Sequence, residues 1–574
     1  MTSEAAGSES LNECDLLVIG SGAGGLSAAV TAAHCGLKVI VAEKAPVLGG
    51  TTAWAGGWIF APRNPLARRA GINEPYEKPK QYLKGVLGNH FQEDRVDAFL
   101  RHAPHMVDFF ETHTSLQFEP GNHIPDTYGH IEGAGTGGRS VIAAPYDGRA
   151  LGEMIHLLRH PLRETTFKGL TIQAGADLRA FMTMMQSSAS FLHVTKRVTK
   201  HFWDLARHKR AMQLRNGSAL IARLMRSAAD RDVVFRVNSP ARRLIVEHGR
   251  IAGAEIETPE GVEIIRAAQG VVLATGGFTH DAALVNELFP AADLHRTLAV
   301  PEATGDGRRM ALEVGAAFDA SLASPGAWCP VSEVPWEDGT KGVFPHIIER
   351  GKPGIIAVTR DGKRFCNEGM GYHDYVTALL EKTRGQRAES WLICTVAFQR
   401  RYGLGISRPA PLPLGPWLRN GYLVQANTIE DLAEACGIDP LGLRATIAEW
   451  NRFARQGLDP LFQRGSTPYQ RLQGDPAQQP NPCVAPIETG PFLALRVVPG
   501  SFGCFAGLRT DAKSRVVDTS GNPIPGLFAA GTDTANVMGG FYPAGGINIG
   551  PAMTFGYIAG RTAAGLPAQE DIDG

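Results

Sequence analysis

Apolar residues in this chain gather into short continuous runs, separated by polar and glycine-rich stretches. Leu16 to Ile19 and Leu37 to Ala42 are the first two. A short run that is apolar throughout predicts a strand buried on both faces of a parallel sheet. Between them Leu26 to Cys35, rich in alanine and leucine, predicts a helix. Later the pattern predicts helices over Glu93 to Glu111 and Ser218 to Asp230, with a mainly helical insertion over 151–215. Residues 121–150 read as a glycine-rich loop. Val233 to Val237 predicts a strand, and Arg243 to Glu247 with Gly253 to Glu257 a hairpin about His248-Gly249-Arg250. Gly270 to Ala274 and Ile355 to Thr359 are further strands. Ile524 to Asp533 is read as a strand ending in a carboxylate, and Gly545 to Ala559 leads into a last helix.

The turn after the first run carries Gly20, Gly22 and Gly25 in the spacing G-x-G-x-x-G, with Ala23 and Gly24 between them. Gly20 permits the tight turn, Gly22 lets the backbone approach a pyrophosphate, and Gly25 lets the helix pack on the sheet. The helix start offers free N–H groups and a positive dipole end to phosphates. Glu43 ends the second run, at the distance expected of an acid that holds an adenosine ribose. The strand, helix, second strand and acid all stand in register, which makes this a dinucleotide site.

At 574 residues the chain exceeds one ordinary domain. Its formal charge is zero, so no overall bias points to nucleic acid. The eight cysteines include no C-x-x-C pair, which fits neither a zinc site nor a disulfide framework and points to a reducing, cytoplasmic setting. Residues 1–13 are polar and lack the apolar core of a signal peptide. Thr534 to Gly560 is uncharged and long enough to span a bilayer, but Pro543, Pro551 and its many glycines argue for backbone packed against a cofactor. The basic stretch Lys196 to Arg210 reads as a solvated helix face, or else as a docking site for an anionic membrane surface.

Several segments together resemble the fumarate reductase/3-ketosteroid dehydrogenase superfamily of FAD flavoproteins. They are the first fingerprint, Leu48 to Gly57, Ala274 to Phe278, Thr304 to Gly307, Gly362 to Glu368 and Pro523 to Gly560. The resemblance runs from about residue 14 to 562. It implies an α/β fold with a Rossmann-like FAD-binding domain of the GR2 type and an inserted α+β substrate or capping domain. The expected division is 1–290 and 491–574 for the FAD domain, including the insertion 151–215, and 291–490 for the capping domain. By resemblance the FAD contacts are Gly20, Gly22, Ala23, Gly24, Gly25, Glu43, Lys44, Gly49, Gly50, Thr51, Thr52, Ala241, Ala274, Thr275, Gly276, Asp533, Gly546, Asn548 and Ile549. Asp533 is expected to hold a ribityl hydroxyl, and the Gly546 to Ile549 backbone to face the pyrimidine edge. No histidine lies between His34 and His90, so the flavin is expected to be non-covalent.

Departures choose the branch. The dicarboxylate reductases of the superfamily carry a histidine where this chain has Phe502-Gly503-Cys504-Phe505, and an arginine in the segment that is Phe541-Tyr542-Pro543-Ala544-Gly545-Gly546 here. Their proton-donating arginine corresponds to Tyr372. What replaces them is similar to the 3-ketosteroid dehydrogenases. By that likeness Tyr542 and Gly546 bind a ketone oxygen, Tyr372 abstracts the α-proton and Tyr128 assists it. Phe344, Phe502, Phe505 and Phe541 are candidate apolar walls. The expected substrate is an apolar cyclic ketone, steroids included, with an external electron acceptor such as a quinone, and no metal or nucleic acid. Two alternatives stay open. One is a dicarboxylate reductase whose clamp is Arg350 or Arg364. The other is a flavoprotein subunit that passes electrons to a partner.

Overall fold

The computed structural model describes residues 12–184 and 187–567, so most of the polar N-terminal stretch lies outside the described residues. In chain order the main strands are β1 (Glu13–Ile19), β2 (Val39–Ala42), β3 (Val234–Arg236), β4 (Ala241–Glu247), β5 (Arg250–Thr258) and β6 (Gly261–Leu273). They continue with β7 (Gly326–Pro335), β8 (Lys341–Pro345), β9 (Ile355–Val358), β10 (Ser390–Thr395), β11 (Phe492–Cys504), β12 (Arg515–Val517) and β13 (Pro523–Ala529). The helices that matter to the site are α1 (Ala23–His34), α2 (Glu93–His113), α3 (Ser188–His208), α4 (Asn216–Ala229), α5 (Asp306–Glu313), α6 (Tyr372–Lys382) and α7 (Ile549–Ala563).

The first sheet runs β12-β13-β6-β1-β2-β3, with the β4–β5 hairpin attached to β6. Its centre is parallel. Leu16 to Ile19 pair with Val39 to Ala42 on one side and with Gly270 to Leu273 on the other. Val271 to Leu273 pair in turn with Leu527 to Ala529, so the two ends of the chain and its middle meet in one sheet. Leu16, Leu17 and Val18 are fully buried, as strands covered on both faces require. The strand ends thus point together at one edge, where ligands bind in open α/β sheets.

Helix α7 lies across α1 at very short range. A Cβ on Gly556 would come within 2.4 Å of the Gly24 carbonyl oxygen, and one on Gly560 within 2.8 Å of that of Ala28. Part of the long uncharged run is therefore glycine-rich for helix–helix packing.

The second sheet runs β8-β7-β11-β10-β9. This corrects the expected border at residue 490. β11 pairs with β7 over Trp328 to Val331 and with β10 over Ser390 to Thr395, so it belongs at the centre of the second sheet. The border at 290 moves as well, since Met310 and Ala311 of α5 pack in one core with Leu244, Ile265 and Leu508. Periodicity could not show either point, because a buried strand looks alike in whichever sheet it joins. The strand read as Ile524 to Asp533 stops at Ala529, and Asp533 sits in a 3₁₀ turn beyond it. The loop 121–150 contains the strand Ser140–Ala143, which pairs with Trp58–Phe60. The insertion 151–215 is less helical than expected. It holds α3, the short helix Ala176–Met182 and a 3₁₀ turn over Gly148–Leu157.

Candidate active site

The turn from β1 into α1 is built from backbone that excludes side chains at two glycines and leaves room at a third. A Cβ on Gly20 would meet the Ala274 oxygen at 2.1 Å, and one on Gly25 the Gly20 oxygen at 2.0 Å. On Gly22 it would meet only Thr52 Oγ1, at 3.7 Å. Gly22 is therefore not required by the protein's own packing, and its missing side chain keeps a groove open at the helix start. No side chain caps α1 from Gly22. Thr52 Oγ1 accepts the N–H of Ala23 at 3.1 Å. Around the same groove, a Cβ on Gly50, Gly276 or Gly531 would find nothing nearer than 3.7 Å. Such open glycines beside a helix N-terminus suit a pyrophosphate-bearing dinucleotide.

The acids of the site are tied in place. Glu43 directly follows β2. Its carboxylate accepts Ser21 N–H at 3.0 Å, Ser21 O–H at 2.5 Å and Ala45 N–H at 2.9 Å. Gly49 N–H donates to the same serine at 2.9 Å, which fixes the turn into Gly50, Thr51 and Thr52. Thr51 Oγ1 accepts Val300 N–H at 3.1 Å, and Lys44 pairs with Asp306 at 2.9 Å. Both contacts join the first domain to the segment that leaves it. Ala241 opens β4 and is buried. Asp533 is buried, which raises its pKa, and it accepts Thr275 N–H at 2.5 Å, Thr275 O–H at 2.9 Å and Gly277 N–H at 3.0 Å. It thus pins the Ala274–Gly277 loop.

Tyr372 and Tyr542, which come from opposite domains, meet. Tyr372 is the first residue of α6, and Tyr542 lies in the glycine-rich segment before α7. Their ring centroids are 4.8 Å apart at 71°, edge to face. Burial pushes both pKa values well up. Asn548 Nδ2 donates to the Tyr542 hydroxyl at 3.3 Å, while its buried Oδ1 has no partner among the described residues. Gly546 has φ +98°, and a Cβ there would meet the Ile59 and Phe60 nitrogens at 2.7 Å, so only glycine fits. Tyr128 does not donate to Tyr372. Its hydroxyl donates to Asp374 Oδ1 at 2.8 Å.

Phe502 packs on Tyr372 at 5.4 Å, and Phe505 lies 6.2 Å from the Tyr542 ring. Phe541 instead packs on His90 and Phe344 on His346. The two arginines considered as a carboxylate clamp are committed elsewhere. Arg364 pairs with Glu368 at 2.7 Å and Asp459 at 2.8 Å. Arg350 is wholly buried and donates to the carbonyls of His346 and Glu368. Sequence reasoning missed Asp374. Asp374 stands two residues after Tyr372 but belongs to no motif, so nothing in the sequence marked it.

The groove and the tyrosine pair can now be set beside known proteins. The model of the family described as FAD binding domain matches residues 15–549. The chain belongs to this FAD-binding family. Within it the chain is 39% identical over 565 residues to a 4-oxocyclohex-2-ene-1-carboxylate 5-dehydrogenase of Sinomonas cyclohexanicum, covering 97% of this chain and 95% of the relative. It is 33% identical over 566 residues to a 3-oxosteroid 1-dehydrogenase of Mycobacterium tuberculosis, covering 96% and 98%. A solved 3-ketosteroid delta1-dehydrogenase from Sterolibacterium denitrificans, in complex with 1,4-androstadiene-3,17-dione, is similar with a TM-score of 0.89. It shares 32% identity and covers 96% of this chain and 100% of that one. The protein is thus a FAD-dependent oxidoreductase acting on CH–CH groups, in the 3-ketosteroid dehydrogenase-like branch of its superfamily.

Proposed function

We propose that this FAD-binding dehydrogenase introduces a carbon–carbon double bond next to the ketone of an apolar ring, with steroids among the candidate substrates. One observation carries the reading: the rings of Tyr372 and Tyr542 meet edge to face, 4.8 Å apart, where a dicarboxylate reductase would need cations. The arginines that could have served as a clamp are consumed by Glu368, Asp459 and backbone carbonyls. A dianion in this site would lose its main electrostatic binding term. The named substrates of the relatives above are an oxosteroid and an oxocyclohexene carboxylate, and both are ring ketones.

In this reading Tyr542 O–H and Gly546 N–H hold the ketone oxygen, which acidifies the neighbouring C–H. Asn548 donates to the Tyr542 oxygen and so keeps the Tyr542 proton turned outward. Tyr372 takes the α-proton. Its place at the start of α6 favours a tyrosinate by about 0.3–1 kcal/mol, which is too little to offset burial. Proton removal must therefore be coupled to ketone activation by Tyr542. FAD, which the glycines of the β1–α1 turn and Glu43 would hold non-covalently, would supply the acceptor for the hydride from the next carbon. The acceptor that takes the electrons on is a quinone or a similar external oxidant.

The insertion supports a peripheral membrane role. Phe191, Leu192, Phe202 and Trp203 of α3 are exposed beside Lys196, Lys200 and Arg207. Arg197 and Arg210 of the same basic stretch face inward, Arg197 pairing with Asp177 and Arg210 with backbone carbonyls. The outer face is thus both basic and apolar, which suits an anionic bilayer surface. No helix among the described residues is long and apolar enough to cross a membrane. The function is tested by screening the anaerobic protein for flavin bleaching with 3-ketosteroids and smaller cyclic ketones, with fumarate and reduced viologen as the opposing assay. Bleaching by a ring ketone supports the reading; fumarate reduction without it would replace the reading with a dicarboxylate reductase.

A further inference from the structure

Asp374 has no part in the reading above, yet it lies at the join between the two tyrosine-bearing segments. It sits in the first turn of α6, two residues after Tyr372. Its Oδ1 accepts the Tyr128 hydroxyl at 2.8 Å. Three further bonds tie the loop at 127–128 to the segment after Tyr542. Tyr82 O–H donates to the Pro543 carbonyl at 2.6 Å and receives Tyr128 N–H at 3.3 Å. Thr127 N–H donates to the same Pro543 carbonyl at 2.8 Å. The segment that presents Tyr542 is therefore held by the loop at 127–128, and that loop is held by the helix that presents Tyr372.

The direction of the bonds decides what Tyr128 does. A carboxylate accepts and does not donate, so the Tyr128 proton is committed to Asp374. With that proton spent, Tyr128 has no hydrogen to offer Tyr372. The surroundings are tight. A Cβ on Gly371 would lie 2.4 Å from Asp374 Oδ2 and 3.0 Å from Thr127 Cγ2. Asp374 Oδ2 itself is buried without a partner among the described residues, so the carboxylate is kept there at a cost that a packing residue would not incur.

We propose that Asp374 is a positioning residue that sets the spacing of Tyr372 and Tyr542, acting through the Tyr128 hydroxyl and the 127–128 loop on the Pro543 carbonyl next to Tyr542. Tyr128 is then a strut between the two catalytic tyrosines. The inference rests on the ketone dehydrogenase reading for its catalytic meaning, but the strut itself exists whatever the substrate.

The test is amide hydrogen exchange on the FAD-bound protein, which needs no substrate. Asp374→Ala and Tyr128→Phe should each speed exchange in the peptides spanning 126–130 and 541–546 by about tenfold, the worth of one such hydrogen bond. Exchange in β1 and α7 should be unchanged. Asp374→Asn, whose amide oxygen still accepts the Tyr128 hydroxyl, should keep protection within about threefold of wild type. The double variant Asp374→Ala with Tyr128→Phe should be no worse than either single one. With a ketone that bleaches the wild-type flavin, both single variants should lower kcat more than they raise KM. Unchanged protection of 541–546 in Asp374→Ala, or a loss in Asp374→Asn as large as in Asp374→Ala, overturns the proposal. Failure of every ketone to bleach the flavin would sink the functional reading and leave the exchange result standing by itself.

Discussion

Tyr372 and Tyr542 lie 170 positions apart in the chain (542 less 372), and their rings meet edge to face with centroids 4.8 Å apart. Neither domain alone contains the pair. The capping domain brings Tyr372 on the first turn of α6, and the FAD domain brings Tyr542 on the segment before α7. On the proposed reading the reaction centre lies where these two segments meet, a common kind of place for a substrate site.

Tyr542→Phe removes one of two donors to the ketone oxygen and leaves Gly546 N–H. An oxyanion donor is worth about 10²- to 10³-fold in turnover. The variant should be slower by that factor, with flavin content unchanged. Steady-state turnover with a ketone that bleaches the wild type is the measurement, and loss of flavin in place of rate would show that the tyrosine acts in packing.

Gly22→Val should fold and fail to retain FAD. The protein itself leaves room for a side chain at this glycine, where the nearest atom, Thr52 Oγ1, is 3.7 Å away. Gly20→Ala should fail earlier, as insoluble or unfolded protein, because its Cβ would meet the Ala274 oxygen at 2.1 Å. Flavin absorbance and circular dichroism of the purified variants separate the two outcomes. In the wild type, acid precipitation should release the flavin into the supernatant; colour kept in the pellet would show a covalent link.

The two halves of the site were not equally legible in the sequence. Gly20, Gly22, Gly25 and Glu43 could be read because a dinucleotide turn is local: strand, turn, helix and acid follow one another within a few dozen residues. Tyr372 and Tyr542 could be singled out only by likeness to a family. Asp374 was invisible, since its partner Tyr128 lies 246 positions away. The same limit misplaced β11. Its apolar residues announce a strand, but only the pairing with Trp328 to Val331 and Ser390 to Thr395 puts it in the second sheet. Arg350 and Arg364 looked available as a clamp because the sequence does not show the carbonyls and carboxylates that hold them.

Helix α3 should bring the protein to anionic vesicles. Trp203 and Leu192 are 68% and 69% exposed on its outer face, among exposed lysines. Co-sedimentation should be stronger with anionic than with neutral vesicles, fall at high salt, and drop in Trp203→Ala. Equal behaviour with both vesicle types would leave α3 as a solvated face.

Glu368 is the centre of the buried charge cluster under α6. It accepts from Arg364 and Arg464 and from Ala357 N–H. Burial opposes its charge, but Arg364 and Arg464 hold its carboxyl below the usual range. The folded pKa is below the unfolded one, so this stabilisation is complete above about pH 4.3 and is lost as the pH falls through the folded value. Glu368→Ala leaves two buried guanidiniums short of an anion, at about 3–5 kcal/mol. A lowered unfolding temperature at neutral pH, with a gap to wild type that narrows in acid, is expected. A pH-independent gap would mean the loss is one of packing.

The assignment of Tyr372 as base is tested most directly by stopped-flow flavin reduction under anaerobic conditions, with a ring ketone shown to bleach the wild type. Tyr372→Phe deletes the group that takes the α-proton, an effect of about 10²- to 10⁴-fold. The account predicts flavin reduction slowed by that factor while FAD stays bound. Exchange of the ketone's α-proton with deuterated solvent should fall with it, where the wild type shows such exchange. Reduction of Tyr372→Phe at the wild-type rate would contradict the account and leave the protein as a FAD-dependent oxidoreductase whose base is another residue.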